Sequence, residues 1–425
     1  MIAWVGGGSE ARADDLRLVL HDPTGRAGPA DVCDAPVCTS LLALIEGATT
    51  SIDFAFYGFR DQTRLLEAMT AAKARGVKIR GVVDLDVDHR NYYESTPSWI
   101  AALGDIRDDF AVDVASAAHQ RSFAGIRYKC PRPPGFAGPL QCLAIDLGDR
   151  CYLSAHVSRE PIRFEGDIMH DKFAVVDHRY VWTGSTNASD SCTGGYNANL
   201  VWVIDAPTVA AWYTAELDQM YDGGRFHDAK AAQPPMRLAL GPDVSLELSF
   251  SPQHHPIEAT VQPLIRSAQR SIDVAVFYLT HKGIAQDLID AHLRGVAVRV
   301  IVDGSSATNA YSKHEVLRLA GIPVKVEDFG GKMHAKSAVI DGSIVIGGSM
   351  NWTNAGEDGN DENTVVVRSA VHAAQYQQWF DRLWAEIPDR WLQDRPDPES
   401  VASGRACADG VDNDYDGLTD AADPG

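Results

Sequence analysis

Two stretches of this chain carry the same reactive residue types at the same spacing. Residues 168–187 read IMHDKFAVVDHRYVWTGSTN and residues 332–351 read KMHAKSAVIDGSIVIGGSMN, so His-x-Lys-x4-Asp-x6-Gly-Ser-x-Asn occurs twice. Two histidines, two lysines and two asparagines suit one kind of chemistry. One imidazole attacks an electrophile while the other protonates the leaving group, and the lysines and asparagines hold an anion between them. A phosphodiester fits such a set, because its nonbridging oxygens stay charged throughout and a Lys/Lys/Asn/Asn clamp meets that charge. Each copy of the motif supplies one His-x-Lys histidine only, so the two must face each other across an interface.

The surrounding elements repeat in the same order, which is what brings the two stretches together. SIDFAFY (51–57) returns as SIDVAVF (271–277), and GVKIRGVVD (76–84) returns as GVAVRVIVD (295–303). A helical stretch, an apolar run of strand type, a second helix and a second strand precede each motif, an α/β pattern with a buried sheet. Within the motif, strand alternation puts His170 and Lys172 on one face while FAVV anchors the segment. Gly184 and Ser185 in the turn that follows let backbone approach a bound phosphate. Each copy ends in an amphipathic helix, with Trp212, Tyr213, Leu217 and Met220 in the first and Tyr376, Trp379, Phe380, Leu383, Trp384 and Ile387 in the second, read as core.

The expected fold is two similar α/β/α sandwich halves, each with a mixed, largely parallel sheet, related by a pseudo-two-fold axis with the site at their interface. The halves span about 16–225 and 237–395, joined by a linker over 226–236. Residues 1–15 read as a leader or as a processed or engineered beginning, and 396–425 as an acidic tail. The spacing from Asp84 to His170 exceeds that from Asp303 to His334 by some 55 residues, an insertion placed between about 86 and 165. Such a segment serves as a lid or as a stapled decoration.

Composition narrows the partners. Lys and Arg number 38 against 58 Asp and Glu, a formal net charge of −20, which disfavours nonspecific binding to polyanions. The seven cysteines, at 33, 38, 130, 142, 151, 192 and 407, show no zinc-ligand spacing and read as disulfide formers, with Cys33 and Cys38 able to close a small loop. That usage implies a secreted or periplasmic protein. In the tail, Asp412, Asp414, Asp416 and Gly417, followed by Asp420 and Asp423, match the spacing of a calcium loop.

The doubled motif resembles the phospholipase D superfamily over residues 16 to 390. The resemblance implies that His170 is the nucleophile of a covalent phosphohistidine and that His334 is the general acid, then the base for water or an alcohol. Lys172, Lys336, Asn187 and Asn351 would hold the phosphate, Ser185 and Ser349 would support them, and Asp177 and Asp341 would be structural. The second copy continues with NDEN (360–363), whose Glu362 would orient His170. The first reads YNAN (196–199), with Ala198 in the glutamate position, leaving Asn197 or Asn199 to serve His334. The implied activity is phospholipase D-type hydrolysis of glycerophospholipids, or transfer to an alcohol, by a monomer that touches a membrane surface and needs no cofactor for the chemistry. The alternative is a metal-independent endonuclease acting on nucleic acid; GGSMNWT (347–353) resembles that branch.

Overall fold

The computed structural model describes residues 15–23, 28–85, 91–121, 142–144, 151–153 and 167–395. Its first half contains β1 (Asp15–His21), β2 (Ser51–Phe56), β3 (Lys78–Val83), β4 (Ile106–Asp108), β5 (Lys172–Val176), β6 (Tyr180–Gly184) and β7 (Asn199–Asp205). Helices α1 (Pro36–Gly47), α2 (Thr63–Ala74), α3 (Thr96–Leu103), α4 (Phe110–Arg121) and α5 (Pro207–Tyr221) accompany them. The second half contains β8 (Met236–Gly241), β9 (Val244–Ser251), β10 (Ser271–Val276), β11 (Ala297–Val302), β12 (Val324–Val326), β13 (Lys336–Ile340), β14 (Ile344–Gly348) and β15 (Glu362–Arg368). Its helices include α6 (Lys282–Leu293), α7 (His314–Leu319) and α8 (Ala370–Glu386).

The first sheet has the order β1-β7-β6-β5-β2-β3-β4 and the second β8-β9-β15-β14-β13-β10-β11-β12. Without the extra edge strand β8 the two orders coincide. Within these two sheets, parallel pairing is confined to β2, β3 and β4 and to β10, β11 and β12; the strands on the other side of β2 and β10 pair antiparallel. The reason lies in the connections: helix crossovers permit parallel neighbours, whereas the tight turns at Asp177 and Gly342 return the chain antiparallel.

The central strands β2 and β5 are buried along their whole length, as befits apolar runs without alternation. Helices α5 and α8 cover the faces that the two sheets share. Tyr213, Leu217 and Met220 join Tyr376, Trp379, Phe380 and Leu383 in one apolar core with Leu200, Trp202, Val345 and Val365. Separate cores lie under α1 and α2 and under α6. At the usual ~25 cal/mol per Å² of apolar surface, each fully buried aromatic of α8 stabilises this interface by roughly 2–3 kcal/mol.

The structure relocates the surplus of the first half. Strand β4 pairs with β3 as β12 pairs with β11, and α3 lies between β3 and β4 as α7 lies between β11 and β12. Residues 91–108, with the Tyr92–Tyr93 pair, therefore have a counterpart in the second half, and the extra segment begins after Asp109 instead of near residue 86. Cys33 and Cys38 are disulfide-bonded and Cys192 is a buried thiol. The calcium-loop reading of Asp412, Asp414, Asp416, Asp420 and Asp423 lies outside the described residues, as do Cys130 and Cys407.

Candidate active site

The strand pair that begins at Lys172 is pinned at its far end. Asp177, with φ +54°, turns its carboxylate onto the backbone N–H groups of Thr49, Thr50 and Ser51, at 2.7–3.1 Å, and accepts both threonine hydroxyls as well. Asp341, with φ +53°, accepts from Gln269, Arg270 and Ser271 in the same way. Partial burial raises both carboxyl pKa values, but the backbone donors outweigh it and hold both below the usual range. These aspartates lie at the end of β5 and of β13 away from the histidines, and they fix the register of β5 on β2 and of β13 on β10.

At the near end, backbone bonds cross between halves. His170 N–H donates to the Asp361 carbonyl and Asp361 N–H to the Ile168 carbonyl. Ala198 N–H donates to the Lys332 carbonyl and His334 N–H to the Ala198 carbonyl. Two strand-end carboxylates hold the residues just before the histidines: Asp84 Oδ1 accepts from Met169 N–H at 3.0 Å, and Asp303 Oδ2 from Met333 N–H at 3.0 Å. Sequence reasoning used these aspartates only as markers of the repeat; their recurrence at the end of GVVD and VIVD was the available signal.

His170 and His334 are both buried and both line one cavity of about 580 Å³, with Asn187, Asn351, Lys332, Arg60 and the rings of Tyr57, Tyr92, Tyr93, Tyr196, Phe277 and Tyr278. The Tyr57 ring stands 5.3 Å from the His170 ring, and Phe277 stands 5.2 Å from His334. Lys172 and Lys336 lie beneath, fully buried, each donating from Nζ to the carbonyl of the histidine two residues before it. Asn187 Nδ2 donates to the Tyr93 hydroxyl at 2.9 Å. The side-chain oxygens of Asn187 and Asn351 have no hydrogen-bond partner, although both atoms are buried.

The two histidines differ in what holds their Nδ1. His170 Nδ1 lies 2.7 Å from Glu362 Oε1, a fully buried carboxylate. His334 Nδ1 lies 3.1 Å from Asn199 Oδ1 and 3.6 Å from Cys192 Sγ. An acceptor on Nδ1 fixes the tautomer and leaves Nε2 with the lone pair toward the cavity.

Strand register also corrects the alignment of the two copies. Ser185 N–H donates to the Leu200 carbonyl and Ser349 N–H to the Asn363 carbonyl, while Leu200 N–H and Asn363 N–H return to the Ser185 and Ser349 hydroxyls at 3.1 and 2.9 Å. Leu200 therefore matches Asn363, and Asn199, not Ala198, stands where Glu362 stands. The first copy has one more residue than the second between Gly-Ser-x-Asn and this position, which displaced the comparison of YNAN with NDEN. Ser185 also donates to Asn199 Oδ1 at 2.8 Å, so the first-half serine steadies the amide that faces His334.

Burial dominates the electrostatics. It drives both imidazoles well below their ordinary value, helped by Lys172 and Lys336, so both rings are neutral in the free protein at neutral pH. The same desolvation pulls Lys172 down to about 8 and Lys336 to about 7, and pushes Glu362 up to about 8. Asp171, buried and bonded to Asn363 Nδ2 at 2.7 Å, is raised to about 7. A site with two neutral imidazoles above two buried lysines of lowered pKa is poised to take up an anion, whose charge would hold both lysines protonated.

Comparisons with known proteins agree with this geometry. The family model described as cardiolipin synthase, PLD-like domain, matches residues 141–221 and 261–384. The mitochondrial cardiolipin hydrolase of Xenopus tropicalis is 40% identical over 123 residues, covering 29% of this chain and 59% of that protein. That of Danio rerio is 30% identical over 173 residues, covering 38% and 76%. The crystal structure of phosphatidylserine synthase from Haemophilus influenzae shares the fold, with a TM-score of 0.58 and 11% identity over 87% of this chain and 88% of that one. The chain thus spans 59% of the Xenopus tropicalis relative's length.

These relatives overturn the expectation of a secreted or periplasmic protein, since they are named for mitochondria. Among the described residues, the Cys33–Cys38 bridge spans a sequence separation of five and Cys192 is a thiol enclosed beside His334, so the cysteines do not require an oxidising compartment. With the paired motifs converging on one cavity and a relative matched over three quarters of its length, the chain belongs to the phospholipase D superfamily.

Proposed function

We propose that this chain is a phospholipase D-type phosphodiesterase acting on glycerophospholipids, with His170 as nucleophile and His334 as general acid and base. The observation that carries the assignment is the 2.7 Å contact of His170 Nδ1 with Glu362 against the amide contact of His334. In the first step His170 Nε2 bonds to phosphorus, the bond from phosphorus to the leaving oxygen breaks, and His334 gives that oxygen a proton. In the second, His334 takes a proton from water, the water oxygen bonds to phosphorus and the bond from phosphorus to Nε2 breaks. Glu362 stabilises the cationic ring that exists between the steps, as an orienting carboxylate does for other catalytic histidines.

Lys172 and Lys336 meet the charge of the nonbridging oxygens. Their depressed pKa values make them responsive to substrate: an arriving phosphodiester raises both and keeps them charged. The same anion raises the pKa of His334, which supplies its proton.

Two observations favour lipid. Aromatic rings line the cavity, suited to a glycerol-linked headgroup entering from an apolar surface, and the matching relatives are named cardiolipin hydrolases. The net charge of −20 opposes a long polyanion. No helix among the described residues is long and apolar enough to cross a membrane. We place bilayer contact at the cavity rim, where Tyr92 is half exposed.

The test is turnover of cardiolipin and phosphatidylcholine vesicles, and of single- and double-stranded DNA, by wild type and His170→Ala. Lipid cleavage that disappears in the variant is the expected result. DNA cleavage lost in the variant, with lipid untouched, would replace this reading with the nuclease one.

A further inference from the structure

Beneath the site, where the linker passes between the halves, buried charge is out of balance. Asp109, Asp113, Asp171, Glu216 and Asp361 are all buried, and Lys230 and His227 are the buried basic groups among them. Lys230 Nζ is fully engaged, 2.5 Å from Glu216 Oε1 and 2.6 Å from Asp361 Oδ1. That leaves His227 facing Asp109 and Asp113.

The geometry of this corner is not that of a hydrogen-bonded ion pair. His227 Nε2 lies 3.4 Å from Asp113 Oδ1 and 3.7 Å from Asp109 Oδ2, and it makes no hydrogen bond to either. Both carboxylate oxygens of Asp113 lack a hydrogen-bond partner although the residue is 1% exposed. One donor atom from each of the three residues lies within 4.8 Å of the other two. Ligand atoms held about 2.0–2.2 Å from a tetrahedral ion sit roughly 3.4 Å apart, close to the spacing found here. On the other side of the ring, His227 Nδ1 lies 3.1 Å from Asp361 Oδ2 without a hydrogen bond between them, and the His227 backbone N–H donates to Asp361 Oδ1 at 2.8 Å, which holds the residue against that carboxylate.

We propose that Asp109, Asp113 and His227 form a binding site for a divalent transition ion of the zinc type, with one nitrogen and two carboxylate ligands. Asp109 accepts backbone N–H groups from Leu85 at 2.7 Å and Met169 at 3.2 Å, whereas Asp113 has no such donor; a charge of +2 offsets both carboxylates, which a singly charged imidazolium does not. The ion would tie the start of α4, which leads into the inserted segment, to the linker turn at His227–Ala229, and through Asp361 to the second half. Its role is structural, since none of its ligands lines the cavity. The sequence could not display it, because the ligands lie at positions 109, 113 and 227 and only the fold gathers them.

The test uses the full chain without a polyhistidine tag, stripped with chelator and titrated with zinc chloride and, separately, cobalt chloride. Wild type is expected to bind one equivalent, to gain at least about 2 °C in Tm on binding, and to give a visible cobalt spectrum without a sulfur-to-metal charge-transfer band. Asp113→Asn, whose side chain gives up no hydrogen bond, should fold as wild type does without metal and lose that equivalent; His227→Gln should lose it too. Three results would overturn the site: no stoichiometric binding by wild type, an equivalent retained by both variants, or a charge-transfer band marking cysteine ligands. In the first case the corner is an ion pair. These readouts do not depend on turnover of any substrate.

Discussion

The halves of this protein have nearly the same sheet, the same pinning aspartates and the same lysine beneath the histidine, yet their histidines are served differently. Glu362 reaches across to His170, whereas the equivalent position in the first half, Asn199, offers His334 an amide. A carboxylate favours a ring that must carry positive charge for the life of an intermediate. An amide fixes the tautomer without holding the proton, which suits a ring that gives and retakes it. Under the proposed assignment, this one difference at one strand position divides labour between two otherwise matched halves.

The comparison breaks most decisively at the histidines. His170→Ala should abolish turnover of every phosphodiester, a loss of roughly 10⁴-fold or more, while His334→Ala should be equally inactive on lipid but recover activity on an aryl phosphodiester whose leaving group needs no proton. Equal recovery in both variants, read by steady-state kinetics, would show that the roles are not divided.

Next come the two groups that face Nδ1. Glu362→Gln is expected to lower kcat on the order of 10³-fold, with KM little changed. Asn199→Asp should cost far less and move the pH profile instead, since a carboxylate beside His334 raises its pKa. A larger effect at Asn199 than at Glu362 would reverse the assignment.

The pH dependence sharpens the same contrast. Burial lowers both histidines, so protonating His170 as pH falls removes the nucleophile, and deprotonating His334 as pH rises removes the acid. For kcat/KM, which reports the free protein, a bell with its maximum on the acid side of 6.5 is expected; in Asn199→Asp only the alkaline limb should shift upward. A profile flat from pH 5 to 9 with chemistry rate-limiting would remove both roles.

The smallest effects belong to the pinning aspartates. Asp177→Asn should cost about 1–3 kcal/mol of stability in denaturant unfolding, and Asp341→Asn somewhat less because it accepts no threonine hydroxyl. Activity per folded molecule should be unchanged in both.

Much of this arrangement was legible in the sequence because repetition made it so. Two copies of His-x-Lys-x4-Asp at equal spacing forced the idea of a shared site, and amphipathic spacing gave α8 its buried face. What stayed hidden depended on register. Asn199 could not be matched with Glu362 without the bonds of Ser185 and Ser349, because one extra residue in the first copy shifts any alignment by eye. The true start of the insertion was hidden because β4 is three residues long and leaves no periodic signal. The parallel character of the sheets stops at β2 and β10, since a strand's buried run does not reveal its neighbour's direction.

The backbone bonds that cross at Ile168–His170 with Asp361, and at Lys332–His334 with Ala198, have a mechanical consequence. They make the cleft a seam that is sewn shut on both sides of its floor, so the halves cannot part like the jaws of a clamp to admit a ligand or free a product. Traffic must pass over the rim, and the slowest amides to exchange with solvent should be those of His170, Ala198, His334 and Asp361, at the centre of the molecule and directly beneath its chemistry.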